Sequence, residues 1–120
     1  MKSYTDLEQS KKLAEILPLE SADMYYPYDL DSCKVLNIPI VKDDYCIPCV
    51  HCWSLAALFD ILPKNLNIGR PSLESNYKGY YWIQYYDEFM KPNNYKTKCF
   101  NNPVDACVEL IIKLKEQNLL

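Results

Sequence analysis

The sequence predicts an α+β fold: a small antiparallel or mixed sheet of about four strands packed with three helices, in one domain over residues 1–120. Three observations carry this. The closing stretch NNPVDACVELIIKLKEQNLL reads as a capped helix with apolar residues at helical spacing. Gly79 to Asp87, GYYWIQYYD, reads as an aromatic-rich strand. Ser54 to Pro63, SLAALFDILP, reads as a short apolar helix with a capping serine and a terminating proline. The predicted order is helix, strand, strand, helix, strand, strand, helix.

The elements follow in order. Thr5 and Glu8 have the spacing of a capping box, and Leu7, Leu13, Ala14, Ile16 and Leu17 follow before Pro18 ends the run. Ser21 to Tyr28 reads as a short extended piece that Pro27 keeps near a sheet edge. Lys34 to Val41, KVLNIPIV, is a β-branched apolar run and a predicted strand, with Pro39 suggesting an edge or a bulge. Asp43 to Tyr45 is a predicted turn. Asn65 to Asn76 carries Asn, Gly, Pro and Ser at short intervals and reads as a flexible loop. The Gly79–Asp87 strand has aromatics on both faces, of which only one can enter the core. Lys91 to Asn94 is a predicted turn and Tyr95 to Phe100 a final strand. Asn102 caps the last helix, Pro103 fits its first position, Asp105 favours its positive end, and Val104, Cys107, Val108, Ile111 and Leu114 form its core face.

With 49% hydrophobic and 24% charged residues the chain has the composition of a globular protein, not of a disordered one. The net charge of −3 argues against a duplex nucleic-acid partner, which calls for a basic face. The first residues, MKSYTDLEQSKKLAEI, lack the apolar core of a secretory signal, and no apolar run reaches the length of a membrane span. The expected location is therefore cytoplasmic, where six cysteines mean free thiols, metal ligands or catalysis before disulfides.

The stretch CIPCVHC places Cys46, Cys49, His51 and Cys52 within seven residues. Zinc takes about four nitrogen or sulfur donors, so these four residues are the alternative metal set. No second C-x-x-C follows at finger spacing, and the expected cofactor is none. A thioredoxin-like site is disfavoured because C-I-P-C does not directly open a helix. Only two glycines are present, so no glycine-rich phosphate loop can form, and no nucleophile elbow or His-Glu-x-x-His occurs. The expectation is a non-enzyme.

Eleven tyrosines and two tryptophans are a heavy aromatic load for 120 residues. A surplus beyond core needs could stack on a base or form a protein interface. With Arg70, the only arginine, as anion ligand, the candidate ligand-binding residues are Trp53, Arg70, Tyr80, Trp82 and Tyr85.

Three stretches together, IPCVHCWSLAALFDILP, YKGYYWIQYYD and NNPVDACVELIIKLKEQNLL, resemble small uncharacterised proteins of Bacteroidetes genomes and their phages. More loosely, the chain is similar to phage αβα-sandwich domain proteins. The resemblance implies a single cysteine before the tryptophan, a role filled here by Cys52-Trp53 with Ser54 as cap, and it implies no catalytic residues. It also implies a phage or mobile-element accessory protein that acts by binding. The expected partner is a small nucleotide, such as an immune signal to be sequestered. A host protein inhibited through a tyrosine-rich surface is the alternative, with homo-oligomerisation possible and no membrane partner.

Overall fold

The computed structural model describes residues 2–43, 50–65 and 67–120. Cys46, Cys49 and all but Asp43 of the expected Asp43–Tyr45 turn lie outside them. Among the described residues the fold is α+β, with three α-helices and three small antiparallel sheets.

Helix α1 spans Leu7–Ala14. Its N-cap is Asp6, not Thr5. The Asp6 carboxylate accepts the Gln9 N–H at 2.8 Å, and the Gln9 side chain in turn accepts the Asp6 N–H at 3.2 Å. Asp6 and Gln9 have the same spacing as Thr5 and Glu8, and a second demand on Thr5 decides between the two pairs. The buried Thr5 hydroxyl is shared with Ser10 at 2.7 Å and accepts the Trp53 N–H at 3.1 Å. Thr5 therefore fastens the N-terminal segment to the middle of the chain while Asp6 starts the helix.

After Pro18 a short 3₁₀ turn, Leu19–Ser21, leads into β1 (Met24–Tyr26) and β2 (Tyr28–Asp29). The predicted Lys34–Val41 strand is divided into β3 (Lys34–Val35) and β4 (Ile40–Val41), which join different sheets. β3 pairs with β2, and β4 pairs with one edge of β1. Pro39, which has no N–H to give a ladder, lies between them. The other edge of β1 pairs with β5 (Val50–Cys52), giving the order β4-β1-β5.

Helix α2 spans Leu55–Ile61, and the Ser54 hydroxyl caps it by accepting the Ala57 N–H at 3.2 Å. The predicted Asn65–Asn76 loop is a strand over half its length: β6 is Arg70–Ser75. It pairs along its whole length with β7 (Tyr81–Tyr86), whose other edge pairs with β8 (Pro92–Lys96). The turn predicted at Lys91–Asn94 comes earlier. Asp87 accepts the N–H groups of Phe89 and Lys91 at 2.8 and 2.9 Å, and Met90 takes a positive φ of 62° to close the hairpin.

Helix α3 (Pro103–Glu116) is the centre of the core. Asn102 caps it by accepting the Asp105 N–H at 2.9 Å. Val104, Ala106, Cys107, Val108, Leu110, Ile111 and Leu114 are buried against Leu13 of α1, Leu58 of α2 and Ile83 and Tyr85 of β7. The two helix starts are joined by polar contacts. The Asp105 carboxylate accepts from Lys2 at 2.9 Å, from Gln9 at 2.7 Å and from Asn102 at 2.7 Å. No helix of the described residues is long and apolar enough to cross a membrane.

Candidate functional site

The β6–β7 pairing sorts the aromatics. Arg70, Ser72 and Glu74 stand opposite Tyr86, Gln84 and Trp82; Pro71, Leu73 and Ser75 stand opposite Tyr85, Ile83 and Tyr81. Side chains alternate across a strand, so these two sets occupy opposite faces of the sheet. The face carrying Ile83 and Tyr85 packs on α3, and both residues are fully buried. The Tyr85 hydroxyl donates to the Pro63 carbonyl at 2.9 Å, and its ring meets Tyr95 edge-on with centroids 6.1 Å apart. Burial pushes the Tyr85 hydroxyl well above its ordinary range, so it stays a neutral donor.

The opposite face holds Trp82 and Tyr86, both half-buried. Glu74 organises them: one carboxylate oxygen accepts the Trp82 indole N–H at 3.1 Å and the other accepts the Tyr86 hydroxyl. That hydrogen bond to Glu74 raises the Tyr86 hydroxyl pKa. Between the two rings the Gln84 amide donates to the Asn93 and Tyr85 carbonyls, so its polar end is internally satisfied. The result is two aromatic rings fixed by one carboxylate on a face that the core does not use.

Arg70 sits on this face at the opposite end from Trp82. Four residues separate Arg70 from Glu74, the partner of Trp82, which is about 13 Å of strand. Arg70 instead adjoins Tyr86, and together they line a cleft of about 410 Å³ with Lys64, Gly69, Glu88 and Met90, and with Asn65 and Asp87. Gly69 (φ 89°) is required there, because a Cβ on it would lie 2.2 Å from the Tyr86 carbonyl oxygen. Its N–H donates to the Asn65 carbonyl at 2.7 Å, and the Asn65 side chain accepts the N–H groups of Asn67 and Ile68. This tight turn sets where Arg70 enters the sheet. Among the described residues the Arg70 guanidinium has no hydrogen-bond or ion-pair partner, whereas the Lys64 ammonium has only a long 3.9 Å contact to Asp60.

The five candidate ligand residues therefore do not converge. Trp53 is fully buried; its indole N–H donates to Ser21 at 3.0 Å and it packs in the core. Tyr85 is equally buried, on the core side of β7. Neither ring has surface to offer a ligand, because both are large side chains that the small core needs. Tyr80 precedes β7 in the hairpin turn and is 46% exposed. Arg70 and Trp82 share a face but stand apart. Lys64 and Tyr86 complete the cleft and were missed. Parity could have found Tyr86: Ile83, the strand's lone aliphatic, marks the core face, and Trp82 and Tyr86 have the opposite parity.

Of the alternative metal set, His51 and Cys52 are neighbours on β5 and project to opposite faces. Cys52 is fully buried, with its thiol against the Thr5 carbonyl and hydroxyl at 3.4 and 3.5 Å, and burial raises its pKa. Burial and the nearby Lys42 charge lower the His51 pKa, and among the described residues its Nδ1 has no hydrogen-bond partner. Among the described residues no group of three His, Cys, Asp or Glu side chains is placed to hold a metal ion. Burial pushes the Cys107 thiol up to about 12.

The arrangement at the Arg70 cleft offers charge, hydrogen bonding and an aromatic surface: two cations, two carboxylates, a carboxamide and a phenol ring. Comparison with known protein families, curated proteins and solved structures returns no match for the chain.

Proposed function

We propose that this chain is a non-catalytic binding protein whose Arg70–Tyr86 cleft takes a small, planar, anionic ligand of the nucleotide class. The observation that carries the reading is the Arg70 guanidinium, without a partner among the described residues, at a cleft of about 410 Å³ that Tyr86 and Lys64 also line. That volume falls within the range of small-ligand sites, roughly 300–1,000 Å³. A guanidinium grips phosphate oxygens in pairs, and an ammonium adds a point charge. An aromatic face contributes about 1–3 kcal/mol per stacked base. Asp87 and Glu88 line the same cleft and oppose a high negative charge, so the fit is to a ligand with one or two phosphates. Their oxygens suit sugar hydroxyls or an exocyclic amine. In the phage or mobile-element setting that the sequence resemblance implies, such a cleft serves to sequester a nucleotide immune signal.

A panel of cyclic and linear nucleotides read by thermal shift tests this. A ligand at tenfold its Kd stabilises the native state by about 1.4 kcal/mol, a rise of several degrees in Tm for a domain of this size. The expected result is such a rise with at least one nucleotide, lost in Arg70→Gln. No shift with any nucleotide at about 1 mM, the weak end of specific affinity, ends the reading.

A second reading, a protein-interaction module, rests on Leu30, Leu36, Ile38, Ile40 and Val41, apolar side chains exposed around β3 and β4. Light scattering across a concentration series tests its self-association form, which predicts a growing dimer fraction that Ile38→Asp abolishes. A monomer throughout removes that form.

A further inference from the structure

We propose that a second cleft, between β8 and the last turns of α3, binds a small oxyanion joined to an apolar body. This cleft shares no lining residue with the Arg70 site, and Asn67 of the Asn65–Gly69 turn contributes to it. It encloses about 330 Å³. Its apolar surface is chiefly the half-buried Tyr95 ring; Leu110 and Leu114 line the cleft but are almost wholly buried. Its rim carries Lys96 and Lys113. Neither ammonium has an ion-pair or hydrogen-bond partner among the described residues.

The charge pattern picks out the ligand. The chain has 16 acidic and 13 basic residues, yet among the described residues no carboxylate lines this cleft. The remaining polar lining is carboxamide, chiefly Asn67 and Gln117, with Asn93 and Asn94 alongside. The Arg70 cleft, by contrast, sets Asp87 and Glu88 against its cations. Two uncompensated ammonium groups beside an aromatic ring favour an anion with an aromatic substituent, and carboxamides can donate to or accept from its polar edges.

Two features keep the site in shape. Asn93 braces the wall: its amide donates to the Ile68 carbonyl at 2.9 Å, and its oxygen accepts the Tyr95 N–H at 2.9 Å. The C-terminal end of a helix ordinarily repels anions. Here the carbonyls of Lys113, Leu114 and Lys115 already accept the N–H groups of Gln117, Leu119 and Asn118. This takes up the negative ends of the last-turn dipoles, leaving the lysine charges to set the local field.

Phosphate monoester and carboxylate share this chemistry, so the test uses phenyl phosphate, benzoate and inorganic phosphate, with sodium chloride at matched ionic strength. Amide signals are followed by NMR in the full chain. Saturable shifts at Asn67, Lys96, Lys113 and Gln117 are expected with phenyl phosphate or benzoate at about 1 mM, and weaker ones with inorganic phosphate. Whichever aromatic anion binds tighter identifies the oxyanion. The Lys96→Gln/Lys113→Gln protein should weaken binding at least about tenfold, as for loss of a charge-assisted contact. Both lysines are exposed, so its melting temperature should be unchanged. Arg70→Gln should bind these probes like the parent, which keeps this site's outcome independent of the nucleotide reading. The proposal is overturned by shifts equal to those in sodium chloride, by shifts confined to the Arg70 cleft, or by undiminished binding in the double variant.

Discussion

The two faces of β7 carry similar residues to different ends. On one, Tyr85 has lost all contact with solvent, satisfies its hydroxyl on Pro63 and packs with Ile83 against α3. On the other, Trp82 and Tyr86 stay partly exposed and are held by the single carboxylate of Glu74. Ring count therefore says little about which aromatics bind. What separates them is strand parity relative to the core, and whether the polar tip is satisfied inside the protein or by a neighbour on the open face. The aromatic load is divided between core filling and a partly exposed face that the core does not use.

The largest expected difference tests this division. Tyr85→Ala should destabilise the protein by about 3–5 kcal/mol, the cost of emptying a large core site. Trp82→Ala on the open face should cost about 1 kcal/mol or less. Chemical denaturation of both variants measures the gap, and equal losses would break the comparison.

Gly69→Ala strikes the junction between the two faces. The substitution demands a left-handed alanine and pushes a Cβ into the Tyr86 carbonyl. A loss of at least about 2 kcal/mol is expected, together with a weakened Arg70 cleft. Unchanged stability would mean the turn does not set the Arg70 entry.

On the core side, Cys107→Ser places a hydroxyl where burial already holds the thiol neutral. A cost of about 1–3 kcal/mol is expected in the melt unless the hydroxyl finds a carbonyl of its own helix.

The smallest effect concerns the polar seam behind the core. Burial raises the Asp105 pKa, but hydrogen bonds from Lys2, Gln9 and Asn102 and the Lys2 charge outweigh it, so the net shift is downward. A carboxyl depressed in the folded state contributes stability above its unfolded pKa, about 3.9, and loses it as pH falls through the folded value. The Tm gap between the parent and Asp105→Asn should thus be full near neutral pH and close in acid. A gap independent of pH would remove the charge from the account.

The caps of α2 and α3 and the core helix were legible in the sequence because their signals are local. Asn102, Pro103 and Asp105 act within one turn of α3, and Ser54 caps α2 as its position implies. Features set by pairing were not legible. Arg-Pro-Ser-Leu-Glu-Ser has one apolar side chain and a proline, and β6 forms because β7 offers it an edge. Without β6, Arg70 reads as a loop residue and no local pattern sets it beside Tyr86. The Asp6 cap was obscured by Thr5, whose distant partner Trp53 no local pattern reveals.

The central claim is that the open end of this sheet, at Arg70 and Tyr86, is where a nucleotide lodges. The direct measurement is an NMR titration of isotope-labelled protein with each nucleotide of the panel. The account predicts saturable shifts grouped at Lys64, Asn65, Gly69, Arg70 and Tyr86–Met90, with Ile83 and the α3 core unmoved. Titrations in which no nucleotide gives saturable shifts there, or in which Arg70→Gln responds like the parent, would contradict it.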